Sequence, residues 1–88
     1  MTYQVWLQPK VRKYLDSLNE DEVRLCKDSL FKLREDPFRR RSGCDIKKLE
    51  GYRKKLYRLR VGKHRFEYFV KEKDVVVYQA FHRERGYR

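Results

Sequence analysis

Apolar and polar residues alternate along residues 3–7, with Tyr3, Val5 and Leu7 on one side and Gln4 and Trp6 on the other. A period of two predicts a strand. Pro9 comes next, and proline suits the first position of a helix, where its missing N–H costs nothing. Val11, Tyr14, Leu15 and Leu18 then recur at helical spacing. Asn19 and, three residues on, Glu22 read as an N-cap with a reciprocal acceptor, starting a second helix. Val23, Cys26, Leu30 and Leu33 form its apolar stripe. Asp36-Pro37 ends it, because the residue before a proline is driven out of helical geometry. The pattern predicts two antiparallel helices joined by a tight turn.

Residues 38–44 (Phe38-Arg39-Arg40-Arg41-Ser42-Gly43-Cys44) read as a basic loop, and beyond it the period returns to two. Ile46–Leu49 is a short expected strand. In Leu56–Val61, Tyr57, Leu59 and Val61 point one way, and Leu56, Arg58 and Arg60 the other. Gly62-Lys63 reads as a two-residue hairpin turn, with glycine where a positive φ is needed. His64–Val70 returns, with Phe66, Tyr68 and Val70 on one face and Arg65, Glu67 and Phe69 on the other. Glu72-Lys73-Asp74 is the next expected turn, and Val75–Phe81 the last strand. The order is strand, helix, helix, then an antiparallel β-meander. It predicts an α+β domain with the helices packed on one sheet face, spanning residues 1–88 as a single unit. The other sheet face is then free to be polar, and alternation sends the arginines there.

Length and composition narrow the possibilities. Eighty-eight residues, 40% apolar and 15% aromatic, suffice for one core and no second module. The longest strictly apolar run is Val75–Tyr78, against the about 20 residues that a membrane-spanning helix needs. The first residues show no charged start and no apolar segment of a secretory signal, so a cytoplasmic protein with no membrane partner is expected. Cys26, Cys44, His64 and His82 lie at separations far from those of zinc fingers or ribbons, so no metal is expected. Cys26 falls in the helical stripe and reads as a small core residue.

Charge distribution changes the picture more than its total. Of the net +11, none comes from residues 1–36, which hold seven basic and seven acidic side chains. Residues 37–88 hold 17 basic and 6 acidic. A one-sided basic surface points to a polyanion, most often nucleic acid. Across the hairpin, Arg60 should face Arg65 and Arg58 should face Glu67, gathering Arg58, Arg60 and Arg65 on one face. Three neighbouring guanidinium groups repel one another. A phosphate would relieve that repulsion and suits their forked geometry. The alternative is that they lie over apolar surface and pair with Glu67 and Glu84. His82, Arg83 and Tyr87 close the chain. Histidine transfers protons near neutral pH, and RNA cleavage needs a base for the 2′-OH, cations for the phosphorane and an acid for the leaving 5′-oxygen.

These residues carry a family resemblance along essentially the whole chain. Lys48-Leu49-Glu50-Gly51, Tyr57-Arg58-Leu59-Arg60-Val61-Gly62-Lys63-His64-Arg65, Val75-Val76-Val77 and His82-Arg83-Glu84-Arg85-Gly86-Tyr87 resemble the RelE/ParE toxin superfamily. The match is closer to its RelE branch of ribosome-dependent mRNA interferases. The resemblance implies a RelE-like fold and the toxin of a type II toxin–antitoxin system. It implies an endoribonuclease that cuts mRNA in the ribosomal A site by 2′-OH attack, without cofactor or metal. It assigns catalytic roles to Arg58, Arg60, Arg65, His82, Arg83 and Tyr87, and implies RNA contacts by Lys47, Lys48, Arg53, Lys54 and Lys55. The implied partners are the 70S ribosome, mRNA and a cognate antitoxin that wraps the basic face in a hetero-oligomer. Some relatives place a glutamate base in the strand around residues 45–49, where this chain has Ile46, Lys47 and Lys48 between Asp45 and Glu50. Two competing readings remain: a ParE-like inhibitor of DNA gyrase without nuclease activity, and a non-catalytic basic protein that binds RNA or the ribosome.

Overall fold

The alternation at the N-terminus forms β1 (Gln4–Leu7), and Pro9 opens α1 (Pro9–Asp16). The structure, a computed structural model, describes residues 2–85. The expected terminal Tyr87 lies outside the described residues. Asn19 caps α2 (Glu20–Lys32) by accepting a hydrogen bond from the Glu22 N–H at 2.9 Å. The Glu22 carboxylate does not close the expected box. It meets the His64 imidazole instead, at 3.3 Å. Past α2, the Asp36 carboxylate accepts from the N–H groups of Phe38 and Arg39, at 2.9 and 3.1 Å. Those bonds hold its pKa below the usual carboxylate value. The Arg41 guanidinium donates to the carbonyls of Lys32, Asp36 and Arg39, tying the helix end to the basic loop.

Four further strands follow: β2 (Asp45–Leu49), β3 (Leu56–Val61), β4 (His64–Lys71) and β5 (Asp74–His82). They make one five-stranded sheet of order β1-β5-β4-β3-β2. β2 to β5 form the antiparallel meander, while β1 pairs in parallel with β5, Val5 opposite Val75 and Leu7 opposite Val77. The sheet is therefore mixed. The second hairpin turn is Glu72-Lys73, one residue shorter than expected, because Asp74 pairs with Lys71 and belongs to β5.

Both helices lie on one sheet face. Val11 and Leu15 of α1, Cys26 and Leu30 of α2, and Leu33 just beyond pack on Ile46, Leu59, Phe66, Tyr68, Val75 and Val77. Cys26 is a core residue, its thiol pushed up to about 11 chiefly by burial. Tyr68 donates its hydroxyl hydrogen to the Pro37 carbonyl at 2.6 Å, which satisfies a polar group inside the core.

One irregularity decides which residues share a face. Glu67 opposes Gln79 and Tyr68 opposes Val77, so Tyr78 is an extra residue in β5, a β-bulge. Beyond it the alternation inverts. Ala80 and His82 turn to the helix side, opposite Phe66 and His64, while Phe81 turns to the open side, opposite Arg65.

Candidate functional site

The β3–β4 hairpin builds the site. Gly62 has φ +59°, and no atom lies where a Cβ would sit, so backbone conformation and not space calls for glycine there. The turn sets Arg60 opposite Arg65 and Arg58 opposite Glu67. On the other flank of β3, Asp45 opposes Arg60 and Lys47 opposes Arg58. All six side chains thus occupy the open face. Arg83 joins them from the turn after β5, its N–H donating to the Lys63 carbonyl at 2.8 Å. Asp45, Arg60, Gly62, Lys63, Arg65 and Arg83 line an open cleft of ≈ 650 Å³.

The guanidinium groups are held in three different ways. Arg60 donates through Nε and Nη2 to one oxygen of Asp45, at 2.7 and 2.6 Å, and Arg40 reaches the other oxygen at 3.3 Å. Arg65 donates to the Gly62 and His64 carbonyls at 2.8 and 3.2 Å. Burial lowers its pKa, and the charges of Arg58, Arg60 and Arg83 lower it further. Arg58 buries an Nε that has no hydrogen-bond partner among the described residues. A buried, unsatisfied donor costs about 1–3 kcal/mol, and an anion bridging Arg58 and its neighbours would remove that cost. The cluster is thus arranged to receive an anion with several acceptor oxygens, as a phosphate diester has.

The remaining expected site residues divide. Lys54 extends over the Phe69 ring, 5.5 Å from its centroid, on the arginine face. Arg53 and Lys55 are exposed in the same loop. Lys48 opposes Tyr57 and so lies on the helix side of the sheet. His82 is not brought into the arginine cleft. It meets the buried His64 edge to face, centroids 6.2 Å apart, and its Nδ1 accepts from the Glu84 N–H at 3.2 Å. His64 is only 6% exposed. Its Nδ1 lies 2.6 Å from the Tyr14 hydroxyl and its Nε2 3.3 Å from the Glu22 carboxylate. All three groups are satisfied if Tyr14 donates to Nδ1 and Nε2–H donates to Glu22. Burial first, then the neighbouring Cys26 and Glu22, raises the Tyr14 pKa.

Two residues of the open face went unnoticed in the sequence as site candidates. Asp45 is legible only once β2 is registered against β3. Tyr78 lies on the open face by simple alternation from Val77, but that its hydroxyl comes to 3.4 Å from the Glu67 carboxylate needs the β4–β5 pairing. Among the described residues, no group of three or more histidine, cysteine, aspartate or glutamate side chains is placed to hold a metal ion. Among the described residues, no helix is long and apolar enough to cross a membrane.

This two-helix, five-strand α+β fold is that of the small RelE-type toxins. The chain belongs to the RelE toxin family. It is 32% identical to the archaeal RelE of a RelE–RelB complex from Pyrococcus horikoshii OT3, with a TM-score of 0.82 over 98% of this chain and 100% of that one. The fold is shared with a mutant of Escherichia coli toxin RelE in the free state, at 22% identity and TM-score 0.71 over 98% of this chain and 88% of that one. It is shared also with the YoeB dimer of Staphylococcus aureus, at 16% identity and TM-score 0.70 over 93% and 99%. No family model and no curated protein matches the sequence.

Proposed function

We propose that this chain is the toxin of a type II toxin–antitoxin pair and cuts mRNA in the ribosomal A site. The observation that carries the reading is the convergence of Arg60, Arg65 and Arg83 on one cleft, with Arg58 on the same face, in a RelE-family chain. In this reading the RNA 2′-oxygen attacks the adjacent phosphorus. Arg58, Arg60 and Arg65 hold the non-bridging oxygens and stabilise the charge of the phosphorane, a contribution worth several kcal/mol when such donors are preorganised. Arg83 steadies the side from which the 5′-oxygen departs. Tyr87 remains a candidate proton donor. His82 acts through the placement of Arg83, the next residue along the chain. Lys47, Arg53, Lys54 and Lys55 make positioning contacts to RNA, and Lys48 reaches it from the other side of the sheet edge. The ribosome supplies the mRNA in a fixed conformation, which suits an enzyme whose own cleft is shallow and open. The Pyrococcus horikoshii relative in complex with RelB supports an antitoxin partner; in this reading the antitoxin covers the arginine face until it is removed. Such a protein works in the cytoplasm, where translation occurs.

The test is a translation reaction with purified ribosomes and a defined mRNA, with new 5′ ends mapped by primer extension. Cuts within A-site codons that need both ribosomes and the toxin are expected. An Arg83→Ala variant should lose cleavage while keeping its fold, since an exposed arginine contributes little to stability. An intact message with folded wild-type protein would overturn the reading.

A further inference from the structure

We infer that Glu67 is the general base of the proposed cleavage, taking the proton from the attacking 2′-hydroxyl, with Tyr78 orienting its carboxylate. The inference rests on the reading of the chain as an endoribonuclease and names the group that activates its nucleophile. Guanidinium groups cannot do this, because they stay protonated at any working pH. The base must be sought among the other groups on the open face.

Among the described residues, that face offers two carboxylates beside the arginines, Asp45 and Glu67. Asp45 is occupied. One oxygen accepts from both Arg60 nitrogens at 2.6 and 2.7 Å, and the other meets Arg40 at 3.3 Å. Both of its oxygens therefore already face guanidinium groups. Glu67 is differently placed. It lies directly across from Arg58 and two residues along β4 from Arg65, about 7 Å away on the same face. A phosphate bridging Arg58 and Arg65 would therefore sit beside it. The Tyr78 hydroxyl is at 3.4 Å, a long contact that orients the carboxylate without using up its lone pairs. Burial, and then the Glu67 charge and hydrogen bond, push the Tyr78 pKa up to about 12. Tyr78 thus keeps its hydrogen through neutral pH and donates it to Glu67. Alternation from the inward-facing Val77 already places Tyr78 on this face, next to the carboxylate. The two imidazoles, His64 and His82, are turned to the opposite side of the sheet.

The step balances without an added reactant other than water. The 2′-oxygen–phosphorus bond forms as the phosphorus–5′-oxygen bond breaks. The 2′-hydroxyl proton passes to Glu67. The 5′-oxygen leaves as a hydroxyl with a proton drawn from water, and the Glu67 proton neutralises the hydroxide left behind. The products are a 2′,3′-cyclic phosphate and a 5′-hydroxyl end.

The experiment is single-turnover cleavage on mRNA-programmed ribosomes at saturating toxin, with binding of each variant to the same complexes measured in parallel. Glu67→Gln should lower the cleavage rate by 10²-fold or more, the usual contribution of a positioned base. Its binding should be unchanged or tighter, because the substitution removes a negative charge from beside the arginines. Glu67→Asp should recover part of the rate, and Tyr78→Phe should lose less than Glu67→Gln. A purely structural glutamate would not separate rate from binding in this way. Wild-type cleavage by Glu67→Gln, or a rate loss that merely follows weakened binding, would overturn the inference and leave the nuclease reading standing. If Glu67→Gln does not fold, a Glu67→Asp variant as slow as Glu67→Ala would overturn it equally. Failure of the wild-type protein to cut in the same reaction would mark the failure of the nuclease reading itself.

Discussion

Arg60 carries two obligations that cannot both be met at once. In the free chain it is tied to Asp45 through two of its nitrogens. If it holds a phosphate, at least part of that pairing must be exchanged. Both side chains keep substantial solvent contact, so the pair contributes at most about 1 kcal/mol to stability. Its larger effect is on the field in the cleft, where Asp45 offsets one guanidinium charge and raises the Arg65 pKa against the lowering by the other arginines. Asp45→Asn should therefore leave the melting temperature nearly unchanged and tighten binding of single-stranded RNA several-fold, as a filter-binding titration at low salt would measure. Unchanged affinity would mean that Arg60 does not contact the RNA. At the tip of the same hairpin, Gly62→Ala should destabilise by roughly 1 kcal/mol, because an L-residue is disfavoured at φ +59° even in open space. Urea unfolding reads that shift directly.

At the scale of elements, His64 is the point where the helical hairpin is fastened to the sheet. It belongs to β4, yet it bonds Tyr14 of α1 and Glu22 of α2, and its ring meets His82 at the end of β5. His64→Ala should cost about 2–4 kcal/mol, combining a small cavity with two stranded polar partners. A double-mutant cycle with Tyr14→Phe should return a coupling of 0.5 kcal/mol or more. Additive losses would show that the contact carries no energy of its own. The β5 bulge shows where sequence reading reaches its limit. The alternation in Leu56–Val61 and His64–Val70 was enough to group Arg58, Arg60 and Arg65 and to oppose Glu67 to Arg58, because a tight turn passes register from one strand to the next. Val75–Phe81 contains no glycine, proline or charged residue to mark an extra residue at Tyr78. Uninterrupted alternation would send His82 to the arginine face, and only pairing with β4 reveals that it goes to the other. The parallel seat of β1 beside β5 was equally hidden, since it depends on a partner about 70 residues away. The cap at Asn19 was visible, but not that Glu22 would leave it for a buried histidine.

The whole molecule separates its tasks by region. Residues 1–36, electrically balanced, supply both helices and nearly half of the core. The strands and loops that follow carry the entire charge excess. Acid should damage this arrangement through specific carboxylates as well as through net charge. Asp36 is one, because its folded pKa lies below the ordinary value. Its contribution is present above the unfolded pKa and is lost as pH falls through the folded one. Stability should thus decline below about pH 4, and Asp36→Ala should start lower and show a shallower acid limb in thermal melts. The concentrated charge makes a second, larger demand. Four arginines on one face repel each other in the free protein, and the proposed RNA binding would exchange that repulsion for released counterions. If Arg58, Arg60, Arg65 and Arg83 each neutralise one phosphate, the log–log dependence of affinity on salt should have a slope of about −3 for a single strand. Removing any one of them should flatten it by about 0.7. Removing Arg24, which lies on α2 and pairs with Asp21, should leave the slope unchanged. Equal slopes for wild type and all four single variants would mean that the arginine cleft is not where the RNA lies, and that the lysines of the 47–55 segment carry the contact instead.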